Sequence, residues 1–251
     1  MVIDRYVAGR RRTRYPVPEV LSDHLSNVIR YLGINCVLDV GAHLGEYVRL
    51  LRHDVGYAGP IISFEPVTRN YRLLSAAWDT DPQWRGFRFA LGDTDRTEKI
   101  NIYRASNLSS FLHSSQYGRE RFPDMNDPPE REVVEVRRLD GLFDSLGLSD
   151  PPRILLKIDT QGTDTQVLAG ARKTLEYVVS LQTEVPAQRI YEGMPTLWQA
   201  LRTVLDLGFE ISGMFPITRD DDDLRVVEFD CVAIRPECDP DRRDGRLIVN
   251  S

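Results

Sequence analysis

"VLDVGAHLGEYVRLL", residues 37–51, decides the class of fold. A near-continuous apolar run ends in Asp39, Gly41 and Gly45 bracket the turn that follows, and apolar residues then recur at helical spacing. An unbroken apolar strand that turns into a helix is the opening unit of a parallel sheet covered on both faces. An acid at the end of such a strand, beside a glycine turn, points to a small polar ligand.

The alternation continues outward from this unit. "PIISFEP" (60–66) predicts a second strand, "TRNYRLLSAAWDT" (68–80) a helix and "FRFALGD" (87–93) a third strand. "EKINIYRA" (98–105) and "VVEVRRLDGLF" (133–143) read as extended segments around an irregular, polar stretch at 106–132. "RILLKIDTQG" (153–162) is again a buried strand, followed by a helix at 164–177, a strand at 178–185 and a helix at 194–209. The runs 209–215 and 226–236 have no helix between them and predict an antiparallel hairpin at one edge. The expected class is α/β, with an N-terminal helical extension over 1–34 and the main domain over 35–251.

Composition narrows the function. The 251 residues are 41% hydrophobic and 28% charged, with a formal net charge of −6. A nucleic-acid partner is not expected, because a phosphate backbone calls for a basic face. Cys36, Cys231 and Cys238 are few and lack metal spacing, so reduced thiols in a cytoplasmic protein are expected. No apolar run approaches ~20 residues, so no membrane span is expected. "GRRRTR" (9–14) reads as a solvated arm or a grip on an anionic substrate or partner chain. A homodimer is a further option for the assembly.

In open parallel sheets ligands bind at the C-terminal strand ends. Asp39, Glu65, Asp93 and Asp159 all fall there, a row of carboxylates along one cleft. The dinucleotide fingerprint is missing, since His43 and Glu46 stand where its second and third glycines belong, and no phosphate-loop motif exists. Glu65 lies 20 residues beyond Gly45, a spacing that suits a carboxylate on ribose hydroxyls. A nucleoside with a positive centre and no phosphate fits best, and S-adenosylmethionine is such a molecule. Many nucleoside binders share the spacing. The cofactor turn would comprise Asp39, Gly41, Ala42, His43 and Gly45, with Glu65 and Pro66 at the second strand's end.

Further blocks extend the pattern: "SFEPVTRNYRLL" (63–74), "ALGD" (90–93), "NLSSFL" (107–112), "RRLDGLF" (137–143), "LLKIDTQGTDTQVLAGA" (155–171) and "LQTEV" (181–185). Together with residues 37–47 they resemble the FkbM family of S-adenosylmethionine-dependent methyltransferases over roughly 35–236. The resemblance implies a Rossmann-like class I methyltransferase fold with a mostly parallel seven-stranded sheet. It also implies O-methylation of a hydroxyl on a sugar, glycoside or glycosylated natural product. By it, Asp39, Gly41 and Gly45 form the cofactor turn, Glu65 holds the ribose and Asp93 lies near the adenine. The family commonly carries Asn at the position of His43 and Glu at that of Gln161.

Methyl transfer to oxygen is an in-line displacement that needs alignment and removal of a proton. Lys157 and Asp159 alternate by two and share one side of their strand. Asp159 and Glu184 could bind Mg²⁺ together, or Asp159 could act as base without a metal, or Lys157 could be ion-paired to one of these acids. His113 in the irregular stretch is a further candidate base. Asp127-Pro128-Pro129 and Asp150-Pro151-Pro152 read as turns. Trp84 and Trp198 are expected to pack the sheet, Tyr117 and Phe122 to line a sugar-binding face, and "DDDD" (220–223) to be a solvated turn. The competing functions are a nicotinamide-dependent oxidoreductase and a non-catalytic S-adenosylmethionine-binding protein.

Overall fold

The computed structural model of the chain describes residues 20–127, 129–220 and 223–236. The basic run at 9–14, Cys238 and residues 221–222 of the acidic run lie outside them. Along the chain α1 (Leu21–Leu32) leads to β1 (Cys36–Val40), and α2 (Glu46–Arg49) is prolonged by wide helical turns to Val55. Then come β2 (Ile61–Phe64), α3 (Thr68–Trp78) and β3 (Trp84–Phe87). The middle of the chain holds β4 (Ala90–Leu91), β5 (Arg96–Ile102), α4 (Gln116–Arg121), β6 (Glu130–Arg137) and α5 (Leu139–Leu142). It ends with β7 (Ile154–Ile158), α6 (Asp164–Ala169), β8 (Val178–Pro186), α7 (Leu197–Asp206), β9 (Glu210–Arg219) and β10 (Val226–Ile234).

Seven strands form one sheet in the order β3-β2-β1-β7-β8-β10-β9. The first five run parallel, and β10 is antiparallel to both β8 and β9. The expected parallel sheet with an antiparallel terminal hairpin is therefore present. The chain reverses direction across the sheet between β1 and β7, where α/β sheets open a ligand crevice.

Alternate side chains of each strand feed two cores, as the period of two requires. Leu38, Phe64, Leu156 and Leu181 face Val167 and Leu168 of α6 and Val204 of α7. Val37, Ile61, Leu155 and Val232 face Leu25, Val28 and Leu32 of α1, Val48 of α2 and Leu74 of α3. The N-terminal helix, expected as an extension, thus packs into the second core. Gly33, in the left-handed conformation, closes α1 by donating to Arg30 and Ile29. α7 starts at a reciprocal cap between Thr196 and Gln199.

Two expectations about the strands shift. The third parallel strand is Trp84–Phe87 rather than 87–93, with Phe64 opposite Phe87. As an edge strand it exposes Arg85 and keeps Trp84 buried, so it lacks the continuous apolar run that marks central strands. Residues 90–91 instead join a separate three-stranded sheet, β4-β6-β5. That sheet packs Ile100 and Val134 on Val67, just beyond β2. It roofs the C-terminal edge of the main sheet. Trp84 packs as expected, its indole N–H donating to Ser63 at 3.1 Å. Trp198 does not: it is 75% exposed on α7, because Ala200 and Val204 occupy the inward side of that helix.

Candidate active site

The face of the sheet that packs on α1 to α3 changes chemistry toward its C-terminal edge. One row holds Val37, Ile61 and Leu155, all apolar. Two residues on, the paired row reads Ser63, Asp39, Lys157, Gln182. Two further on stand Glu65, Gly41, Asp159 and Glu184, with Asp230 of β10 opposite Glu184. A strand advances ~3.3 Å per residue, so apolar core becomes a charged floor within about 7 Å.

Above this floor lies a cavity of about 580 Å³, well inside the ~300–1,000 Å³ range of small-molecule sites. Gly41, Ala42, His43, Glu65 and Pro66 line one side and Lys157, Asp159, Gln161, Gln182, Glu184 and Asp230 the other. Ile100, Ser106, Asn107, Ser109 and Phe111 reach it from the roof.

The turn after β1 is shaped by close packing. Gly41 has φ +78°, and a Cβ there would lie 1.8 Å from the Asp159 carbonyl oxygen. Gly45 has φ +89°, and its Cβ would strike the Trp78 indole and Leu74 of α3. Both glycines are required, the first because β7's exit crosses the turn and the second because α3 lies against it. His43 takes φ +48° without being glycine. Its N–H donates to Glu65 Oε2 at 2.9 Å, while its ring meets Glu46 Oε1 at 3.2 Å and Ser106 Oγ at 2.7 Å.

Glu65 is 4% exposed and also accepts from the Val67 N–H at 2.9 Å. Burial pushes its carboxyl up to about 7, against the pull of those two backbone donors. Glu46, at the mouth, is held at about 2; burial opposes this, but the His43 ring and nearby backbone N–H groups outweigh it. This side of the cavity offers two carboxylates and no Lys or Arg. The set fits a nucleoside whose ribose hydroxyls donate to Glu65, and it would repel a pyrophosphate.

The other side is a compensated network. Lys157 Nζ lies 3.2 Å from Asp39 Oδ1 and 3.5 Å from Asp159 Oδ2, and donates to the Gly41 carbonyl at 3.3 Å. Burial alone would lower the Lys157 pKa, but the carboxylates of Asp39, Asp159 and Glu184 hold it above the ordinary lysine range. Lys157 is therefore a fixed cation, not a proton acceptor. Asp39 is fully buried behind it, accepts from Ser63 at 3.2 Å and does not line the cavity.

Gln161 Nε2 donates to Asp159 Oδ1 at 3.0 Å and to Glu184 Oε2 at 2.9 Å, while its Oε1 accepts from Tyr191 at 2.9 Å. Burial, with Asp159, Glu228, Asp164 and Asp230 nearby, pushes Glu184 well up. The expected Mg²⁺ pair, Asp159 and Glu184, is thus adjacent, but an amide N–H₂ occupies the place between them. Among the described residues no three His, Cys, Asp or Glu side chains group as a metal site. The donor set does not fit Mg²⁺.

Gln161→Glu is expected to destabilise the fold by about 1–3 kcal/mol near neutral pH, since it replaces two donated bonds with a third carboxylate. The introduced acid's folded pKa would be raised, so the loss should shrink as pH falls toward 5. Thermal unfolding at pH 7.5 and pH 5 measures it. A loss that grew on acidification would contradict the arrangement.

Four expected site residues lie elsewhere. Asp93 is exposed and pairs with Arg96 at 2.8 Å; Ala90 and Leu91 line the cavity in its stead. His113 is exposed and off the cavity wall, because Ser114 pairs with Tyr191 and turns its own side chain inward. Tyr117 and Phe122 pack into a cluster with Met125 and Tyr191 and do not line the cavity. The acidic run is not wholly solvated either: Asp220 is buried and pairs with Arg121 at 3.3 Å. Missed altogether were Tyr47, Gln182 and Asp230, joined by hydrogen bonds of 2.7 and 3.0 Å. Only the two-residue spacing of Gln182 and Glu184 on one strand hinted at them.

Comparison with known proteins bears on the whole arrangement. The methyltransferase FkbM domain matches residues 39–211. The chain belongs to the FkbM methyltransferase family. A curated relative, 2-O-methyltransferase NoeI of Sinorhizobium fredii (strain NBRC 101917 / NGR234), is 37% identical over 195 residues, covering 72% of this chain and 74% of that one. A crystal structure of Methyltransferase FkbM from Methylobacillus flagellatus KT aligns with a TM-score of 0.48 and 15% identity. It covers 80% of this chain, which spans only 43% of that one. Aeropyrum pernix fibrillarin aligns with a TM-score of 0.45 and 12% identity over 80% of this chain and 66% of that one. At these identities the likeness concerns the fold alone. As an FkbM methyltransferase the protein takes its methyl group from S-adenosylmethionine, and membership of that family does not favour the nicotinamide alternative. Among the described residues no helix is long and apolar enough to cross a membrane.

Proposed function

We propose that the protein transfers the methyl group of S-adenosylmethionine to a hydroxyl of a sugar-containing acceptor. The observation that carries this is a single cavity with a nucleoside-compatible wall at Gly41–Pro66 and a carboxylate group at Asp159, Glu184 and Asp230. The 37% identity to a 2-O-methyltransferase supports oxygen as the methylated atom.

In this reading Glu65 accepts from the ribose hydroxyls, and the left-handed turn lets the backbone approach the ligand. S-adenosylmethionine supplies an electrophilic methyl group on sulfur. Asp159 accepts the acceptor's proton; Lys157 and Gln161 hold its two oxygens in place. Holding nucleophile and methyl group in line supplies several kcal/mol. Phe111 and Ile100 of the roof exclude water from the reacting centre.

The test is methyl transfer from labelled S-adenosylmethionine over a panel of sugars and glycosides, with and without a chelator. Label in an O-methyl sugar, undiminished by chelator, is expected. Binding of S-adenosylmethionine with no turnover on any acceptor would favour a non-catalytic binding protein.

A further inference from the structure

The FkbM domain match ends at residue 211, yet the strand beyond it completes the acceptor side of the cavity. β10 places Asp230 on the cavity wall, directly across from Glu184. Asp230 is held in position. Gln182 Nε2 donates to its Oδ1 at 3.0 Å, and Gln182 Oε1 accepts from the Tyr47 hydroxyl at 2.7 Å. Tyr47 is buried, with the Lys157 ammonium 5.3 Å from its ring centre. A buried tyrosine on α2 therefore sets the direction of the amide, and the amide sets the carboxylate. Tyr47 and Gln182 lie 135 residues apart.

Charge and place say what Asp230 meets. Lys157 is the single Lys or Arg lining the cavity among the described residues, and Asp39 and Asp159 already pair with it. Among the described residues neither Asp230 nor Glu184 has a Lys or Arg within ion-pair distance, and the Lys157 ammonium acts on both only from farther off. Strand β10 stands four places from β2 in the sheet, about 19 Å at the usual strand spacing. A group at Asp230 is therefore remote from a ribose at Glu65 and lies where the acceptor enters.

We infer that Asp230 is a specificity-determining residue of the acceptor site: its carboxylate accepts hydrogen bonds from a hydroxyl or ammonium of the sugar and turns away acceptors bearing phosphate or carboxylate there. The preferred acceptor is a neutral or amino sugar. The inference rests on the reading of the cavity as a methyl-transfer site. Glu228 lies on the same face two residues along β10, is 6% exposed, and its Oε1 has no hydrogen-bond partner. Burial and the carboxylates around it push its carboxyl up to about 8, so near neutral pH the charge at this wall rests on Asp230 rather than on Glu228.

The test compares the full chain with D230N, which keeps the shape and one acceptor oxygen for Gln182. The probes are methyl hexopyranosides, each as the neutral sugar, the amino sugar and the sugar phosphate. D230N should raise the KM for neutral and amino acceptors about tenfold or more, the worth of a charged hydrogen bond. The dissociation constant for S-adenosylmethionine should stay within about twofold. The ratio of kcat/KM between amino and phosphorylated acceptors should narrow about tenfold. A merely structural role would weaken donor and acceptor together and leave that ratio alone, which would overturn the inference. If D230N does not fold, D230S is read in the same way. If the unaltered chain methylates sugars and neither variant changes the charge preference, the inference alone fails. If the unaltered chain methylates none, the proposed function fails and takes the inference with it.

Discussion

Replacing Lys157 by methionine is expected to lower folding stability by about 3–5 kcal/mol. The ammonium lies between Asp39, which is completely buried, and Asp159. Methionine fills a similar volume but leaves Asp39 charged, or forces it to take up a proton, with Ser63 as its remaining hydrogen-bond donor. Breaking a buried pair from one side costs far more than removing both charges, so the double variant Lys157→Met, Asp39→Asn should recover most of the loss. Denaturant unfolding of the two single variants and the double variant measures the coupling. Simple additivity of the two losses would mean that this row is not the ion-paired floor described above.

Replacing Glu65 by alanine is expected to weaken S-adenosylmethionine binding about a hundredfold or more. Two hydroxyls donating to one carboxylate are each worth about 1.5–3 kcal/mol, and the variant also releases the N–H groups of His43 and Val67 that shape the turn. Glu65→Gln separates the two effects, since it keeps acceptor oxygen at one position. The carboxyl titrates at about 7 in the folded protein because it is buried. The sign of the pH effect follows from that. Below pH 7 the proton occupies one acceptor position, so affinity should fall by up to tenfold per pH unit, and it should be flat above. Without ligand the same shift works the other way. Between pH 7 and about 4.5 the folded form holds the proton more tightly than the unfolded chain, so this group adds stability as pH falls through that window. Calorimetric titration across pH 5.5 to 8.5 should show the affinity loss for the unaltered protein and a flat line for Glu65→Gln. Undiminished affinity in the alanine variant would remove the ribose-binding role.

The parts of the site that were legible come from short range. Gly41, His43, Glu65 and Asp159 follow apolar runs directly, and a strand end beside a turn is visible in neighbouring letters. Asp93 and His113 were misjudged for a related reason. Each lies next to a strand or bridge, but the pairing of Leu91 with Arg137 and of Ser114 with Tyr191 determines which way the neighbouring side chain turns. Trp198 was misjudged because bulk and aromaticity do not say which side of a helix faces inward; the burial of Ala200 and Val204 does.

The amino-acid sequence by itself determined the parallel sheet, its antiparallel end, the glycine turn and the absence of a phosphate cradle, because periods of two and 3.6 and the demands of a turn are local properties of the chain. Only the tertiary structure decided that Asp230, Gln182 and Tyr47 share one wall with Asp159, that Gln161 bridges two acids, and that Lys157 is a neutralised cation. Those facts depend on strand register, and register is settled by which distant residues bury each other, over separations such as the 116 residues between Gly41 and Lys157.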